Sequence, residues 1–465
     1  MRHRASEELD MESSRRRRHS FEEDTNDKKV KFNAPSYAFL ETIDKKKLDF
    51  DFEKTCSVTL SNLNVYCCLV CGKYLHGRRA NTPAFLHSVN DGHHVYVNFN
   101  TLKFYLLPEG TEIQDNGTIQ LLNSLRYGIR PTFTESEIAQ FPKRCVDLNN
   151  NQYTNGFVGM NDKDRAINVV LLAIAHVTPI RDYLLLSDVD RESQFIRRLS
   201  VIVRKLWSVK LFKPHVSAEE FVSFALVNDN KAAHQMNDPR RCLLWLFDCM
   251  SKYSSTLKEL TEAHCRGIVL ITKTMIKTIY DQAQNVKEFV QEEDSAVDKS
   301  LPFWMLTLDL PPKPLFKTGL NVNDLPQVRL EELMSEFDGQ TEKQMSHHIL
   351  KYRLRKFPEY LILHFDRFDP KTQQPVKNRN QTIVEFPLTM EIESHRYELM
   401  ANIIHTSVKP STGAEKDEES RWMIQLYNDK ADEWLELDGT NARKKEKELL
   451  FLNETYIQIW ERKAS

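Results

Sequence analysis

The sequence predicts an α+β protein that is built around one fully buried helix. Residues 166–175 run almost without a polar break after two candidate N-caps, Asp162 and Asp164, and Pro179 ends the helix. A helix that is apolar on every face must be buried. Three later stretches alternate or run apolar in the way that is typical of strands: residues 301–311, 359–369 and 376–388. Helices and strands are therefore both expected.

Length and composition predict a globular protein of two or three domains. The chain has 465 residues, 41% of them hydrophobic, and a formal charge of −2. No segment has the length and apolar character of a membrane span, and the N-terminus lacks the apolar core of a signal peptide, so no membrane partner is expected. Eight unevenly spaced cysteines indicate a reducing compartment rather than a disulfide framework.

Residues 1–33 alternate blocks of charge with almost no apolar residues, which predicts a disordered charged N-terminal tail. Within the tail, the run RRRRHS at Arg15–Ser20 is typical of a nuclear import signal. The plain alternative is a solvated charge cluster, and direct RNA contact ranks third because acidic blocks flank the run. We therefore expect a nuclear protein.

The strongest metal signal lies in residues 34–135, which we expect to form one domain. Two cysteines that close a tight turn and two histidines farther on supply two thiolates and two imidazoles, the ligand set of one tetrahedral Zn²⁺. The four predicted ligands are Cys68, Cys71, His87 and His93. The alternative, buried thiols with unrelated surface histidines, is improbable at this spacing.

Other residues near this set leave alternatives open. His94 could supply the fourth ligand in place of His93, and Cys56 is a spare thiol whose part in zinc binding the sequence does not decide. Packing or surface positions are the simpler interpretation of Cys56, Cys67 and His76.

A DNA-reading zinc finger has similar spacing. Such a finger needs a recognition helix that runs into its first histidine, and Pro83 predicts a break in that helix. The residues after the histidines, HVYVNFNTLKFYLLP, alternate like strands. The metal site is therefore predicted to be embedded in a larger α+β unit.

The stretch CLVCGKYLHGRR…HSVNDGHHVYVNFNTLKFYLL resembles the UBP-type zinc finger. In active relatives this module grips the C-terminal di-glycine of ubiquitin. Those relatives have a tryptophan-containing motif where this chain has LKFYLL, so the resemblance argues against ubiquitin-tail binding here. Arg78 and Arg79 could meet a carboxylate, but exposed arginines need no such role.

The segment GFVGMNDKDRAINVVLLAIAHV resembles the first box of ubiquitin-specific proteases, in which a Gly-Asn-Thr-Cys turn places the nucleophilic thiol at the N-terminus of the central helix. A helix N-terminus favours the thiolate. This chain has no cysteine between Cys145 and Cys242, and the match puts Arg165 or Asp164 at the thiol position. With the three strand-like stretches and the C-terminal box, the resemblance covers residues 150–465 and implies a papain-like fold of thumb, palm and fingers.

The last box of the family places the general base in Gly-His-Tyr, before a strand that leads to an orienting Asp or Asn. Here Ser420-Arg421-Trp422 stands at that place, and His405 is predicted to be a strand histidine rather than a replacement base. Loss of the nucleophile and the base removes the covalent intermediate and the proton path, so the resemblance implies no catalysis. Four active-site positions are thus degenerate: Asp164, Arg165, Arg421 and Asp438.

Several helices are predicted between these boxes. Residues 193–208 have helical spacing, Ser217 and Glu220 have capping-box spacing, and Asp238 is an N-cap with Pro239 after it. Cys242 and Cys249 are expected in the core. Residues 273–300 are compatible with a helix or with a partly disordered insertion. Because no cysteine follows Cys265, the fingers must be held by packing alone.

The whole combination resembles the spliceosomal, catalytically inactive branch of the ubiquitin-specific protease family, which is associated with the tri-snRNP. The resemblance implies a nuclear, non-catalytic pre-mRNA splicing factor that assembles or stabilises the tri-snRNP through its proteins and holds one structural Zn²⁺. The alternative is a ubiquitin receptor outside splicing. A thiol protease that uses Cys145 or Cys242 and a DNA-binding finger rank lower, because the first lacks a cysteine at the helix entrance and the second expects a basic domain.

Overall fold

The computed structural model describes residues 36–115, 117–161, 165–188, 191–281, 286–312, 326–369, 371, 376–408 and 418–463. The predicted tail at residues 1–33 and the predicted N-caps Asp162 and Asp164 lie outside the described residues.

The N-terminal unit packs helices on a five-stranded antiparallel sheet. Its helices are α1 Ser36–Leu40, α2 Pro83–Asp91 and α3 Gln120–Ile129. Its strands are β1 Val65–Cys68, β2 Tyr74–His76, β3 Val95–Asn98, β4 Phe104–Leu106 and β5 Thr111–Glu112, in the order β2-β1-β3-β4-β5. The hairpin of β3 and β4 confirms the strand prediction for the residues after the histidines.

Pro83 does not break a helix. It occupies the first turn of α2, where a proline is tolerated because its missing N–H would have no partner in the helix. The helix then runs through His87. The prediction that no helix reaches the first histidine is therefore wrong, whereas the prediction of a surrounding α+β unit is confirmed.

Helices dominate the first half of the C-terminal domain. They are α4 Glu135–Ala139, α5 Arg165–Ile174, α6 Thr178–Leu186, α7 Gln194–Leu206, α8 Glu219–Asn228, α9 Ala232–Gln235, α10 Pro239–Tyr253 and α11 Ser255–His264. Every residue from Ala166 to Ala175 is buried, as the sequence predicted. The chain turns after α5, and Pro179 lies in the first turn of α6.

The predicted caps have different outcomes. Asp238 accepts a hydrogen bond from the Arg241 backbone N–H at 2.9 Å, which confirms it as the N-cap of α10. The capping box at Ser217 is wrong, because its Oγ accepts from the N–H two residues on and from the Asn161 amide. Glu220 turns instead to Lys54 of the N-terminal unit, at 3.0 Å.

Strands build the second half of the domain, with three short strand pairs elsewhere. The strands are β6 Cys145–Val146, β7 Gln152–Tyr153, β8 Gly159–Met160, β9 His215–Val216, β10 Gly267–Asp281, β11 Val286–Phe303, β12 Leu306–Asp309, β13 Gln327–Arg329, β14 Asp338–Gln344, β15 His348–Lys356, β16 Tyr360–Asp366, β17 Ile383–Glu385, β18 Thr389–Ile392, β19 His395–Val408, β20 Glu419–Asn428, β21 Glu433–Asp438, β22 Asn441–Lys445 and β23 Glu454–Arg462. A short helix, α12 Leu330–Met334, lies among them.

Two sheets organise these strands. The large one has the order β12-β16-β23-β19-β20-β21-β22, with β18 paired to β19, and the four-stranded one has the order β11-β10-β15-β14. The described part of residues 273–300 belongs to the β10–β11 hairpin, so it is neither helix nor disordered. Only residues 383–385 of the predicted strand at 376–388 are extended in a sheet.

The hydrophobic core lies between α5 and the large sheet. Buried side chains of the sheet, Ile403, Trp422 and Ile424 among them, pack in one cluster with the residues of α5. Among the described residues, no single helix is long and apolar enough to span a membrane, and the one pair that qualifies together, Ala166–Ile174 with Thr178–Leu186, is bent by 88°.

A buried ion pair joins the two parts of the protein. Asp51 of the N-terminal unit accepts from Lys205 of α7 at 2.6 Å and from the Ser217 backbone N–H at 3.0 Å, and Lys213 lies 3.3 Å away. Burial raises the pKa of the Asp51 carboxyl, but Lys205 and Lys213 together overcome that effect and hold the pKa at about 2. The carboxylate is therefore charged at neutral pH.

Replacing Asp51 with Asn should lower the free energy of unfolding by about 3–5 kcal/mol, because Lys205 is then left buried without its carboxylate. The control is Asp49→Asn, since Asp49 pairs with the more exposed Lys213 and should cost less than about 1 kcal/mol. Urea unfolding followed by circular dichroism measures both. Equal costs for the two variants would contradict the central role of the buried pair.

The same pair predicts how stability depends on pH. Because the folded pKa of Asp51 is depressed, its stabilising effect is complete above the unfolded value of about 4 and is lost as the pH falls toward about 2. The shift corresponds to roughly 2 kcal/mol. Urea midpoints measured from pH 5 to pH 2 should therefore fall more steeply for the unsubstituted chain than for the Asp51→Asn variant.

Candidate functional site

The structure brings the four predicted zinc ligands together. One donor atom from each of Cys68, Cys71, His87 and His93 lies within 4.8 Å of the others. Cys68 ends β1, Cys71 follows in the turn, His87 lies on α2, and His93 precedes β3. Gly72 closes the turn at a φ of +78°, and a Cβ there would lie 2.4 Å from the Lys47 carbonyl oxygen, so the turn requires glycine.

The geometry of this cluster fits one tetrahedral Zn²⁺. The Cys68 Sγ lies 3.6 Å from His93 Nδ1, the Cys71 Sγ lies 3.3 Å from His87 Nε2, and the two ring nitrogens are 3.1 Å apart. Ligands held at 2.0–2.3 Å from a tetrahedral zinc are separated from one another by about 3.3–3.8 Å. Both sulfur–nitrogen distances lie in this range, and the two nitrogens are slightly closer together. Asp91 contacts His87 Nδ1, so Nε2 is the nitrogen that faces the cluster.

The spare residues lie outside this cluster. His94 Nδ1 hydrogen-bonds to the Leu107 carbonyl oxygen at 2.8 Å, so this nitrogen already has a partner. Cys67 packs in the hydrophobic core on the other side of β1. Cys56 is buried near Thr59, whose hydroxyl hydrogen-bonds to His76 at 3.0 Å. None of the three belongs to the group of candidate ligands.

Arg78 has a structural role in the described contacts. It donates to the Gly110 carbonyl oxygen at 2.9 Å, and its guanidinium lies 4.7 Å from the centre of the Tyr105 ring. Arg79 is exposed. Of the two arginines that the sequence suggested as contacts for a ubiquitin carboxylate, Arg78 therefore already contacts its own domain.

A second candidate site lies at the entrance of α5. The strand β8 runs beside the end of β21, where the Met160 N–H donates to the Gly439 carbonyl oxygen at 2.8 Å. A Cβ on Gly159 would lie 2.4 Å from the Thr440 carbonyl group, so only glycine allows this approach. The strand β8, which precedes α5 in the chain, therefore lies beside the end of β21, where Asp438 is the last residue.

Arg421 and Asp438 form an ion pair beside this entrance. The Arg421 Nε donates to one carboxylate oxygen of Asp438 at 3.0 Å, and its terminal nitrogen contacts the other oxygen. The backbone of Arg165 begins α5, while Asp164 lies outside the described residues. A guanidinium stays protonated in proteins, so Arg421 cannot accept a proton as a histidine base does.

His405 belongs to a buried polar network on β19. Its Nδ1 hydrogen-bonds to Glu454 at 3.1 Å and its Nε2 to the Ser420 hydroxyl at 3.0 Å. This order of groups matches a hydrolase triad, but Arg379 also donates twice to Glu454, at 2.7 and 2.8 Å. Burial lowers the pKa of His405. Glu454 raises this pKa and Arg379 and Arg367 lower it, and the net effect is a lowered pKa that disfavours the imidazolium a base must form. The prediction of a strand histidine is confirmed.

Sequence reasoning missed this network because its members come from strands that are distant in sequence. His405 pairs with Trp422 on one side and with Glu454 on the other, and this register places Ser420 within reach. Only the strand order shows that these residues share a face.

Comparison with known proteins now identifies the family. Residues 55–118 match the model of a zinc finger in ubiquitin-hydrolases and other proteins, and residues 163–460 match that of ubiquitin carboxyl-terminal hydrolase. The chain belongs to the ubiquitin carboxyl-terminal hydrolase family. The predicted order of folds, a UBP-type zinc finger followed by a ubiquitin-specific-protease fold, is confirmed.

Relatives within the family cover nearly the whole chain. The pre-mRNA-splicing factor SAD1 of Saccharomyces cerevisiae is 44% identical over 97% of this chain and all of its own length. The probable mRNA-splicing protein ubp10 of Schizosaccharomyces pombe is 36% identical over 92% of this chain and 88% of that protein. A crystal structure of an essential yeast splicing factor matches with a TM-score of 0.79 and 42% identity, over 92% of this chain and all of the other. The resemblance to the spliceosomal branch is thereby confirmed.

The four cysteines that follow the zinc-finger domain belong to the hydrophobic core. Cys242, Cys249 and Cys265 are buried, and Cys242 and Cys249 belong to the core of α10 as predicted. Burial raises the pKa of Cys249 and of Cys265 to about 12, and it raises the pKa values of Cys242 and Cys145 as well. These thiols are therefore protonated at neutral pH, the opposite of an activated nucleophile.

Iodoacetamide at pH 7.5 should leave Cys145, Cys242, Cys249 and Cys265 unmodified while a free cysteine peptide in the same tube is fully alkylated, because only the thiolate reacts. Mass spectrometry of tryptic peptides measures the modification at each site. The control is the chain unfolded in urea, in which all four should react. One rapidly modified cysteine in the folded domain would contradict the assignment of these thiols to the core.

Proposed function

We propose that this protein is a non-catalytic pre-mRNA splicing factor that assembles or stabilises the spliceosomal tri-snRNP through contacts with its proteins, in the nucleus. The observation that carries the proposal is similarity over almost the whole chain, 97% of it at 44% identity, to a protein named as a splicing factor. Identity at this level extends through both the zinc finger and the hydrolase-like domain, so the two parts have been kept together.

The degenerate cleft supports the non-catalytic part of the proposal. Arg421 takes the position of the family's general base and is bound to Asp438, the acid that would otherwise orient the imidazole. No cysteine stands between Cys145 and Cys242, where the family has its nucleophile. A domain with this cleft retains the shape for docking but has no group to form an acyl intermediate.

We further propose that one structural Zn²⁺ is held by Cys68, Cys71, His87 and His93. The donor distances support it, and so does the match of residues 55–118 to the zinc-finger family. When bound, the ion would join β1, α2 and the loop before β3. We take residues 34–135 as the zinc-finger domain and 150–465 as the hydrolase-like domain, boundaries that enclose both matched ranges.

The alternative of a ubiquitin receptor outside splicing has less support. Arg78, one of the two candidate contacts for the ubiquitin carboxylate, is bound to Gly110 and stacked on Tyr105. The experiment below separates this alternative from the proposal.

Depleting this protein from a splicing-competent extract should reduce splicing and the amount of intact tri-snRNP, and the purified chain should restore both. The test variant carries Cys242→Ala, Cys249→Ala and Cys265→Ala, which removes every thiol after residue 145. It should restore splicing as well as the unsubstituted chain does, since no thiol chemistry is needed. Native gels of the small nuclear RNAs and a fluorogenic ubiquitin substrate provide the readouts.

Three results would count against the proposal. Unchanged splicing after depletion would remove the assigned function, and turnover of the ubiquitin substrate that disappears in the triple-alanine variant would show a thiol protease. Capture of ubiquitin, without tri-snRNP components, by the tagged chain would favour the receptor.

Elemental analysis of the purified chain should find about one zinc per molecule. Cys71→Ser should lose most of it and should lower the melting temperature, because zinc binding contributes directly to the stability of small domains. The matched control is Cys56→Ser, a buried cysteine outside the cluster, which should keep its zinc. Equal zinc content in the two variants would rule out the assigned ligands.

A further inference from the structure

A wide groove lies between the zinc-finger domain and the helical part of the hydrolase-like domain. It has a volume of about 1290 Å³, and α3 forms one wall while the end of α6 and part of α7 form the other. Five cations line it: Lys45, Arg126, Arg130, Arg204 and Lys210. We call it the cationic groove. The carboxylate among its lining residues, Asp188, pairs with Arg191 at 3.1 Å.

This accumulation of positive charge is local, because the whole chain has a formal charge of −2. Elsewhere along the same domain boundary, cations are paired with carboxylates: Lys205 and Lys213 contact Asp51, and Lys54 contacts Glu220. Within the groove, Arg126 donates to Asp115 at 2.6 Å. The excess positive charge of the groove therefore comes from Lys45, Lys210 and Arg204.

Two lysines of the groove have no carboxylate within 4 Å in the part of the chain that the structure describes. The Lys45 Nζ donates to the Ser124 hydroxyl at 2.7 Å, and the Lys210 ammonium lies 5.9 Å from the centre of the Tyr127 ring. Burial lowers the pKa of Lys45, and repulsion from Lys210 lowers it further. An anion placed between the two ammonium groups would relieve this repulsion.

Arg204 contributes a fixed cation to the wall. Its side chain is buried, and it donates to the backbone carbonyl oxygens of Leu184, Pro131 and Ser187, at 3.0, 3.4 and 2.5 Å. Burial lowers the pKa of this guanidinium to about 10, which leaves it charged at neutral pH. The three backbone contacts therefore hold the positive charge of Arg204 at a fixed position in the groove.

Aromatic rings lie among these cations. Tyr127 and Phe133 line the groove, are partly exposed, and have ring centres 6.3 Å apart. Cations that follow a phosphate backbone, interleaved with aromatic faces on which bases stack, are the usual combination in sites for single-stranded nucleic acid. A peptide of acidic residues alone would use the cations but would present no aromatic side chain to the two rings.

We propose that the cationic groove binds single-stranded RNA. Lys45 and Lys210 contact phosphates, the buried Arg204 adds electrostatic attraction from the wall of the groove, and Tyr127 and Phe133 stack on bases. The choice of RNA over DNA rests on the proposed function in splicing, whereas the charge and the aromatic faces are properties of the groove itself. The binding test uses only the purified chain, so its failure is distinct from a failure of the splicing assay.

The test measures binding of fluorescein-labelled oligouridylate by anisotropy at several salt concentrations. All proteins carry Arg15–Arg18 replaced by Gln, so that the basic run of the tail does not contribute. Removing two phosphate contacts in the Lys45→Gln, Lys210→Gln variant should weaken binding and reduce the slope of log K against log salt by about 1.4. The control is Lys258→Gln, Lys299→Gln, which removes two exposed lysines outside the groove and should leave the slope unchanged.

A second variant tests the stacking. Phe133→Leu keeps an apolar side chain but loses the ring face, so it should weaken binding about tenfold without changing the salt slope. Melting temperatures like that of the unsubstituted chain show that each variant is folded. The proposal is overturned by absence of binding at low salt, by an unchanged slope in the Lys45/Lys210 variant, or by polyglutamate that displaces the RNA as well as unlabelled oligouridylate does.

Discussion

Burial of α5 against the large sheet is the constraint on which the rest of the structure depends. Six large apolar side chains of this helix are buried: Ile167, Val169, Val170, Leu171, Leu172 and Ile174. Each contributes about 1.5–3 kcal/mol when it leaves water. Their sum is comparable with the whole net stability of a typical domain, about 5–15 kcal/mol. The position of α5 cannot change without loss of the fold, and β8, which precedes it in the chain, is held against Gly439 and Thr440.

This constraint explains how the proposed loss of catalysis leaves the shape of the cleft intact. The approach of Gly159 to Thr440 depends on backbone and on the absence of a Cβ, and it needs neither a thiol nor an imidazole. In the proposed non-catalytic cleft, the ion pair of Arg421 and Asp438 lies where we infer that active relatives have a catalytic hydrogen bond. Polar groups near the cleft, His405 and Glu454 included, are satisfied within the sheet. Such contacts suit the proposed function, in which the protein acts by docking.

The two domains meet through polar contacts as well as an apolar one. Phe212 packs against the core of the zinc-finger domain, with its ring centre 5.6 Å from that of Phe50. Asp51 and Lys205 are buried at the boundary, and Lys54 with Glu220 adds a second, more exposed pair. Buried pairs contribute little net stability but make any other arrangement costly, because separation would leave a charge without a partner. A boundary of this kind fixes the orientation of the domains, and with it the cationic groove that both domains line.

The sequence by itself determined what depends on neighbouring residues. The buried character of α5, the cap at Asp238, the strands after the histidines and the set of four possible zinc ligands could all be predicted, since hydrophobic period, caps and ligand spacing act within a few turns of chain. The same local rules gave two wrong predictions. Pro83 begins a helix instead of breaking one. Ser217 contacts Asn161 instead of forming a capping box. For residues 273–300 the sequence left helix and disorder open, and the described part of this range forms strands through pairing of β10 with β11.

The tertiary structure alone decided what depends on elements distant in sequence. Strand register places Ser420, His405 and Glu454 in one network, and domain packing places Asp51 beside Lys205 and Lys45 near Lys210. No local pattern encodes such neighbours, because charges and hydrogen bonds act through space over a few ångströms, whichever parts of the chain meet there.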